Sequence, residues 1–141
     1  MRLLGIDYGR KRLGLALSDE GGVLASPLPA YRRAGALADD IAFLRRLVEE
    51  WSVGTIVIGL PINMDGSTGE MAEEVTRFAA RIEGEIGLPI ARIDERLTSV
   101  EAERALIEGG ISRRKRKGLR DSLAAVLILQ GYLDRLRSGS S

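Results

Sequence analysis

Three acidic positions stand where a carboxylate is expensive to keep. Asp7 ends the apolar run that begins at Leu3, the pair Asp94-Glu95 ends the run that begins at Leu88, and Asp121 heads a stretch with helical periodicity. The i+3, i+4 and i+7 neighbours of Asp121 are Ala124, Ala125 and Ile128, so this acid lies on or beside a packing face rather than the solvent face. A carboxylate in such surroundings needs solvent, a donor or a cation. Each also has a plain reading. Asp121-Ser122 can cap a helix or sit in its first turn, favoured by the dipole. Asp94-Glu95-Arg96 can be a surface ion-pair cluster, and Asp7 can bond its own turn. All three plain readings holding at once is less economical than one cause, because the elements carrying these acids would meet at one end of a sheet.

The residue inventory narrows what the acids can do. The chain has 141 residues and neither cysteine nor histidine. That excludes disulfides, thiolate sites, a Ser-His-Asp triad, a histidine base and nearly all zinc catalysis. What remains is carboxylates, lysine, hydroxyls, backbone amides and a hard metal. Converging carboxylates raise one another's pKa unless a cation joins them. An all-oxygen ligand set suits Mg²⁺ or Mn²⁺. Two such ions roughly 4 Å apart stabilise the attacking and leaving oxygens of an in-line phosphodiester displacement. Metal-dependent hydrolysis of a phosphodiester is therefore the expected chemistry.

Several features suit a nucleic-acid substrate. Gly5, Gly9 and Gly14 would let backbone approach a phosphate, and Arg10, Lys11 and Arg12 form a basic turn beside Asp7. The loop Gly59-Leu-Pro-Ile-Asn-Met-Asp-Gly-Ser67, with Asn63 at its centre, precedes a helix start and is a ready anion site. Arg96 follows the second acid pair, and Arg113, Arg114, Lys115, Arg116 and Lys117 make a basic loop able to neutralise several phosphates. A plain hairpin and a solvated charge run are the competing readings of these two basic stretches. Net charge is only +1, so affinity must come from such local patches. Aromatics are 4%, which favours recognition of shape and backbone over stacked bases.

The elements that must position these groups are legible from periodicity. Alternation over residues 3–8 predicts a strand with Leu3, Gly5 and Asp7 on one face, and Gly9–Arg12 turns it into a return strand over Leu13–Ser18. Val23–Leu28 can be a third strand, which Pro27 and Pro29 confine to an edge or end. A helix is expected over 37–51, and a strand buried on both faces over Thr55–Leu60. Ser67-Thr-Gly-Glu70 has capping-box spacing before a helix with stripe Met71, Val75, Phe78, Ala79 and Ile82. Leu88–Asp94 reads as a strand, Thr98–Glu101 as a second capping box opening a helix that stops at Gly109-Gly110, and Leu119–Leu136 as the last helix. Strands followed by alternating helices and strands predict an α/β fold with a mixed sheet. No repeat, linker or composition shift divides the chain, so one domain over 1–137 and a frayed tail over 138–141 are expected. No signal peptide and no apolar run near the ~18 residues of a membrane span is present, and the expected location is cytoplasmic.

Four stretches, Gly5–Asp19, Gly59–Ser67, Asp94–Ala102 and Asp121–Leu133, resemble the signature blocks of the YqgF/RuvX family, a resemblance that runs from Leu3 to about Leu133. It implies an RNase H-like fold with a central five-stranded mixed sheet flanked by helices. It implies a cytoplasmic bacterial protein, a nuclease maturing the 5′ end of pre-16S rRNA or a Holliday junction resolvase. Matched residue by residue, it implies Asp7, Glu95 and Asp121 as the catalytic, metal-holding acids. Periodicity alone leaves Asp94 and Glu95 open.

The leading expectation is thus a Mg²⁺- or Mn²⁺-dependent endonuclease acting on structured or precursor RNA, with the ribosomal small-subunit precursor as partner. A resolvase of branched DNA would need a two-fold dimer. No dimer interface is legible, so a monomer or weak dimer is expected, with no membrane partner. A non-catalytic RNA-binding assembly factor is the alternative of a different class. The Asp-x-Gly turn also resembles the phosphate loop of two-domain ATPases, which 141 residues are too few to build.

Overall fold

The first two strands form the expected hairpin. In a computed structural model that describes residues 1–97 and 120–139, β1 (Arg2–Asp7) pairs antiparallel with β2 (Arg12–Ser18), with Asp7 opposite Gly14. β4 (Val53–Leu60) and β5 (Ile90–Asp94) extend the sheet in parallel on the other side of β1, and β3 (Ala25–Arg32) pairs antiparallel with β2. The sheet order is β3-β2-β1-β4-β5, a five-stranded mixed sheet. The helices are α1 (Leu37–Trp51), α2 (Glu70–Ile86) and α3 (Arg120–Arg137).

Each face of the sheet is covered, as α/β architecture requires. Leu4, Ile6, Leu13, Leu15, Ile56 and Ile58 are buried against Leu44 of α1 and Val75, Phe78, Ala79 and Ile82 of α2. The opposite face carries Ala16, Val57 and Ile93 under Ala124, Ala125, Ile128, Leu129 and Leu133 of α3. Period-2 alternation therefore puts Leu3, Gly5 and Asp7 on the α3 face.

β3 departs from expectation. It begins at Ala25, not Val23, and runs through both prolines to Arg32. The register explains how. Leu13 faces Tyr31 while Leu15 faces Leu28, so three residues of β3 oppose two of β2. This is a β-bulge on an edge strand, where prolines remove no needed ladder bond.

The capping box at Ser67 does not form. The residue capping α2 is Gly69, and no side chain caps the helix. Ser67 instead gives its hydroxyl to Asp65 Oδ1 at 2.6 Å, which also accepts the Ser67 amide at 2.9 Å. An Asx turn two residues away has outcompeted the helix start for the same hydroxyl. The second capping box, Thr98–Glu101, and the helix to Gly109 lie outside the described residues. At the far end, Ser138 donates its amide to the Asp134 carbonyl at 3.0 Å, so the last helical turn closes there.

α3 packs directly on the backbone of Gly5. A methyl group in place of the Gly5 hydrogen would lie 2.8 Å from Leu129 Cβ and 3.1 Å from the Ala125 carbonyl oxygen. The proposed phosphate role of Gly5 is thereby corrected: a helix occupies the space its missing side chain leaves. Gly9 has a similar explanation, since a Cβ there would run into the Arg12 carbonyl within the turn. Two side chains fasten α3 to the strands below. The Ser122 hydroxyl accepts from the Leu15 amide at 3.3 Å and donates to the Leu28 carbonyl at 2.5 Å, both at the bulge. Gln130 accepts from the Ala25 amide and donates to the Val23 carbonyl, each at 2.9 Å.

Ser122→Ala is expected to leave a buried amide and carbonyl unpartnered and to cost about 1–3 kcal/mol. Gly5→Ala is expected to cost a similar ~1–3 kcal/mol by overpacking. Urea unfolding checks both, and a midpoint equal to that of the unsubstituted chain for either would disprove this seating of α3.

Candidate active site at the ends of the central strands

The register builds the site. Ile6 pairs with Ile58, and Ile58 with Arg92, so the next row across the sheet reads Gly14, Asp7, Gly59, Ile93. Asp7 is flanked on both neighbouring strands by glycine. With strands ~4.8 Å apart, this leaves a trough on the α3 face with one half-buried acid at its centre.

Glu95 enters that trough from the far side. It opens a short 3₁₀ turn, Glu95–Leu97, directly after β5, and its side chain is buried. A methyl group on Gly59 would lie 3.0 Å from Glu95 Oε1 and 3.1 Å from Glu95 Cγ. The Glu95 carboxyl thus rests over the residue beside Asp7. Asp94 is engaged elsewhere. It takes the Arg96 side chain in a fork, Nε at 3.1 and 3.0 Å and Nη2 at 2.7 Å, and the Arg96 amide at 2.9 Å. Hydrogen bonding from Arg96 holds the Asp94 carboxyl below the usual range. Strand alternation failed as a guide here because β5 ends at Asp94, and the 3₁₀ turn, not the pleat, aims the next side chain.

Asp121 lies in the first turn of α3, and its side chain is outside the described residues. Its helix neighbour Ser122 is fixed to Leu15, the residue after Gly14. Ala124, Ala125 and Ile128 are all buried against the sheet, on the face the spacing indicated. Among the described residues no complete group of three metal-ligating side chains is found; Asp7 and Glu95 are two acids on one face. Their donors are all oxygen, and the chain has no sulfur or imidazole to add, which fits a hard divalent cation.

The expected basic residues divide. Arg10 turns away from Asp7 and grips Glu74 of α2, Nε at 3.1 and 3.3 Å and Nη2 at 3.0 Å. The Tyr8 hydroxyl donates to the same carboxylate at 2.6 Å. Arg10 foremost, then Tyr8, holds Glu74 below the usual carboxylate range, and burial followed by Glu74 pushes the Tyr8 phenol up. Lys11 and Arg12 are exposed at the end of the hairpin. Asn63 is exposed, with Nδ2 donating to Ser67 Oγ at 3.1 Å within its own loop. Arg96 is exposed but tied to Asp94, with Nη1 reaching the Met64 carbonyl at 3.5 Å. Arg113, Arg114, Lys115, Arg116 and Lys117 lie outside the described residues.

Two cations escaped the sequence reading. Arg32 ends β3, beyond the point where the prolines suggested the strand would stop, and Arg33 follows it. Arg33 Nη1 donates to the Gly9 carbonyl at 2.9 Å, its Nε and Nη2 hold the buried Asp40 of α1 at 2.9 Å, and its guanidinium lies over the Tyr8 and Phe78 rings. The consecutive arginines after a Pro-x-Pro run were the available signal.

Gly59→Ala is expected to displace Glu95 and to destabilise the fold by about 1–3 kcal/mol. Glu95→Ala in the same chain should recover part of that loss, a coupling readable in a double-mutant cycle by urea unfolding. Strict additivity would mean that Glu95 does not pack on Gly59.

A family model described as "RuvX: Holliday junction resolvase" matches residues 1–135. The chain is 50% identical over 136 residues to a protein of Moorella thermoacetica, covering 96% of each. It is 47% identical to one of Syntrophus aciditrophicus, covering 96% of this chain and 90% of the relative. It is 49% identical to one of Halalkalibacterium halodurans, covering 96% and 97%. All three bear the name "Putative pre-16S rRNA nuclease". Among solved structures, "T. thermophilus RuvC in complex with Holliday junction substrate" matches with TM-score 0.65 at 16% identity, over 99% of this chain and 98% of that one. A second structure of Thermus thermophilus RuvC matches with TM-score 0.59, also at 16% identity and over the same shares of both chains. At that identity the likeness is one of fold, RuvC-like and RNase H-like.

Proposed function

The chain belongs to the RuvX family, and we propose that it is a nuclease that hydrolyses phosphodiester bonds at the 5′ end of precursor 16S rRNA. The observation that carries the reading is the approach of the Glu95 carboxyl to the row of Asp7, over the glycine that flanks that acid.

Asp7, Glu95 and Asp121 would hold a divalent cation, Mg²⁺ or Mn²⁺. Such an ion supplies charge stabilisation to the attacking and leaving oxygens of an in-line displacement. The remaining work belongs to the chain. Gly59, lacking a side chain, leaves the Glu95 carboxyl and Ile128 of α3 room to rest in the row of Asp7. The Asp94–Arg96 fork fixes the 3₁₀ turn and so holds Glu95 in its buried position. Burial of Glu95 on the side away from solvent limits its rotamers and pre-organises the acid pair. Lys11 and Arg12, exposed at the hairpin end, would attract the backbone of the substrate and set its register without reading bases. Arg113–Lys117 and Asn63 are further proposed contacts of the same kind, whereas Arg96 is taken up by Asp94.

Precursor rRNA places the protein with the small ribosomal subunit in the cytoplasm. No helix among the described residues is long and apolar enough to cross a membrane. The family's description as a Holliday junction resolvase favours a second reading, cleavage of a four-way DNA junction. That reaction needs two sites related by a two-fold axis.

The test is parallel cleavage of a precursor-rRNA 5′ end and a four-way junction in Mg²⁺, Mn²⁺ and EDTA. The rRNA is expected to be cut with either metal and not in EDTA. Asp7→Asn and Glu95→Gln should each lose more than the ~10–100-fold that loss of a group supporting a metal ligand costs. Unchanged cleavage by Asp7→Asn would falsify the site, and cutting of the junction alone would overturn the substrate.

A further inference from the structure

The four residues between β1 and β2 hang on two side chains from elsewhere in the fold. The strand that carries Asp7 stops there, opposite Gly14, and β2 begins at Arg12. Tyr8 and Arg10 both donate to the Glu74 carboxylate of α2, the phenol at 2.6 Å and the guanidinium Nη2 at 3.0 Å. The alternate residues, Gly9 and Lys11, give their carbonyls to Arg33. One accepts from its Nη1 and the other from its amide, each at 2.9 Å. Hairpin turns commonly close on local bonds alone. This one is tied at every residue to a group outside the hairpin.

The two holders are themselves fixed. Arg33 donates from Nε to Oδ2 of the buried Asp40 at 2.9 Å. Its guanidinium lies 5.0 Å from the centre of the Tyr8 ring, and that ring packs on Phe78 of α2 with centroids 4.8 Å apart. All this lies on the side of α1 and α2, whereas Asp7 faces α3. Asp7 and Tyr8 nevertheless share the peptide that leaves β1. The plane of that peptide sets ψ of Asp7, and the rotamers open to a side chain follow from its φ and ψ. A shift of Tyr8 is therefore passed through the peptide to the Asp7 carboxylate. A misplacement of about 1 Å at a reacting group can lower a rate ~100-fold.

We propose that Glu74 is a positioning residue: by holding Tyr8 and Arg10 on one face of the sheet, it fixes the direction of the Asp7 carboxylate on the other. Arg33 completes the hold through Gly9 and Lys11. The consequence for catalysis rests on the nuclease reading, whereas the effect on Asp7 itself does not.

The two are measured apart. Three-bond couplings to the Asp7 carboxyl carbon, in isotope-labelled protein without metal, report how far one χ1 rotamer dominates. A single rotamer is expected in the unsubstituted chain and averaging in Glu74→Ala. Glu74→Gln, whose amide oxygen still accepts from Tyr8, should lie between them. Glu73→Ala, an exposed change one residue away, should leave the couplings alone. In the same order of variants, Mn²⁺ binding should weaken, by about tenfold in Glu74→Ala. Its kcat on a precursor-rRNA 5′ end should fall roughly 10–100-fold with KM held. Glu74→Gln and Tyr8→Phe, milder changes to the same bond, decide the matter if Glu74→Ala does not fold. Couplings unaltered in the folded Glu74 and Tyr8 variants, whatever their urea midpoints, overturn the proposal. If the couplings change and the unsubstituted chain cuts no substrate, the nuclease reading fails and the positioning of Asp7 stands.

Discussion

The close approach of α3 to the central strands is the constraint on which the rest of the structure depends. It is possible only because Gly5 presents no side chain beneath Ala125 and Leu129. A helix at that height brings its first turn down onto β2, where Ser122 supplies the amide of Leu15 and the carbonyl of Leu28 with partners at the bulge. Buried backbone groups that a bulge leaves without ladder partners are costly, and one hydroxyl satisfies both. The bulge, the glycine and the serine are therefore one device. They set the height and register of the helix whose first turn carries Asp121.

The same logic of missing side chains shapes the trough. Gly14 and Gly59 flank Asp7, so no side chain on either neighbouring strand stands between that acid and the groups packed over the row. Glu95 and Ile128 of α3 both lie against Gly59. Around this acidic trough the fold arranges its cations by two means. Some are neutralised in place, as Arg96 is by Asp94, Arg10 by Glu74 and Arg33 by Asp40, and these brace turns and helices. Others, Lys11 and Arg32, stand exposed at the same end of the sheet. The division is physical. A cation held in a bidentate pair has little to offer a passing phosphate, whereas an exposed one releases counterions when a polyanion binds.

Local rules and long-range packing differ in how far they can be read. Alternation in β1 was legible residue by residue, and so were the apolar stripes of α1, α2 and α3, because periods of 2 and 3.6 are written in adjacent positions. The extent of β3 was not. Two prolines argue for an ending, and only pairing with β2 across a bulge shows why the strand tolerates them. The capping box at Ser67 misled for a related reason. The motif was present, but Asp65 reached the hydroxyl first, and the winner of that competition depends on loop geometry.

The chain by itself determined the chemistry available: carboxylates without histidine or cysteine, an acid after each of two apolar strands and one at the head of the last helix, and basic residues beside the first. It determined the α/β order as well, since hydrophobic periodicity is a local property. Only the tertiary structure decided which acid of the Asp94-Glu95 pair turns toward Asp7, that Gly5 makes room for a helix rather than a phosphate, and that Arg32 stands opposite Arg12. Each of those outcomes depends on strand register and on the height of α3. Both arise from contacts between residues far apart in the chain, which no local spacing encodes.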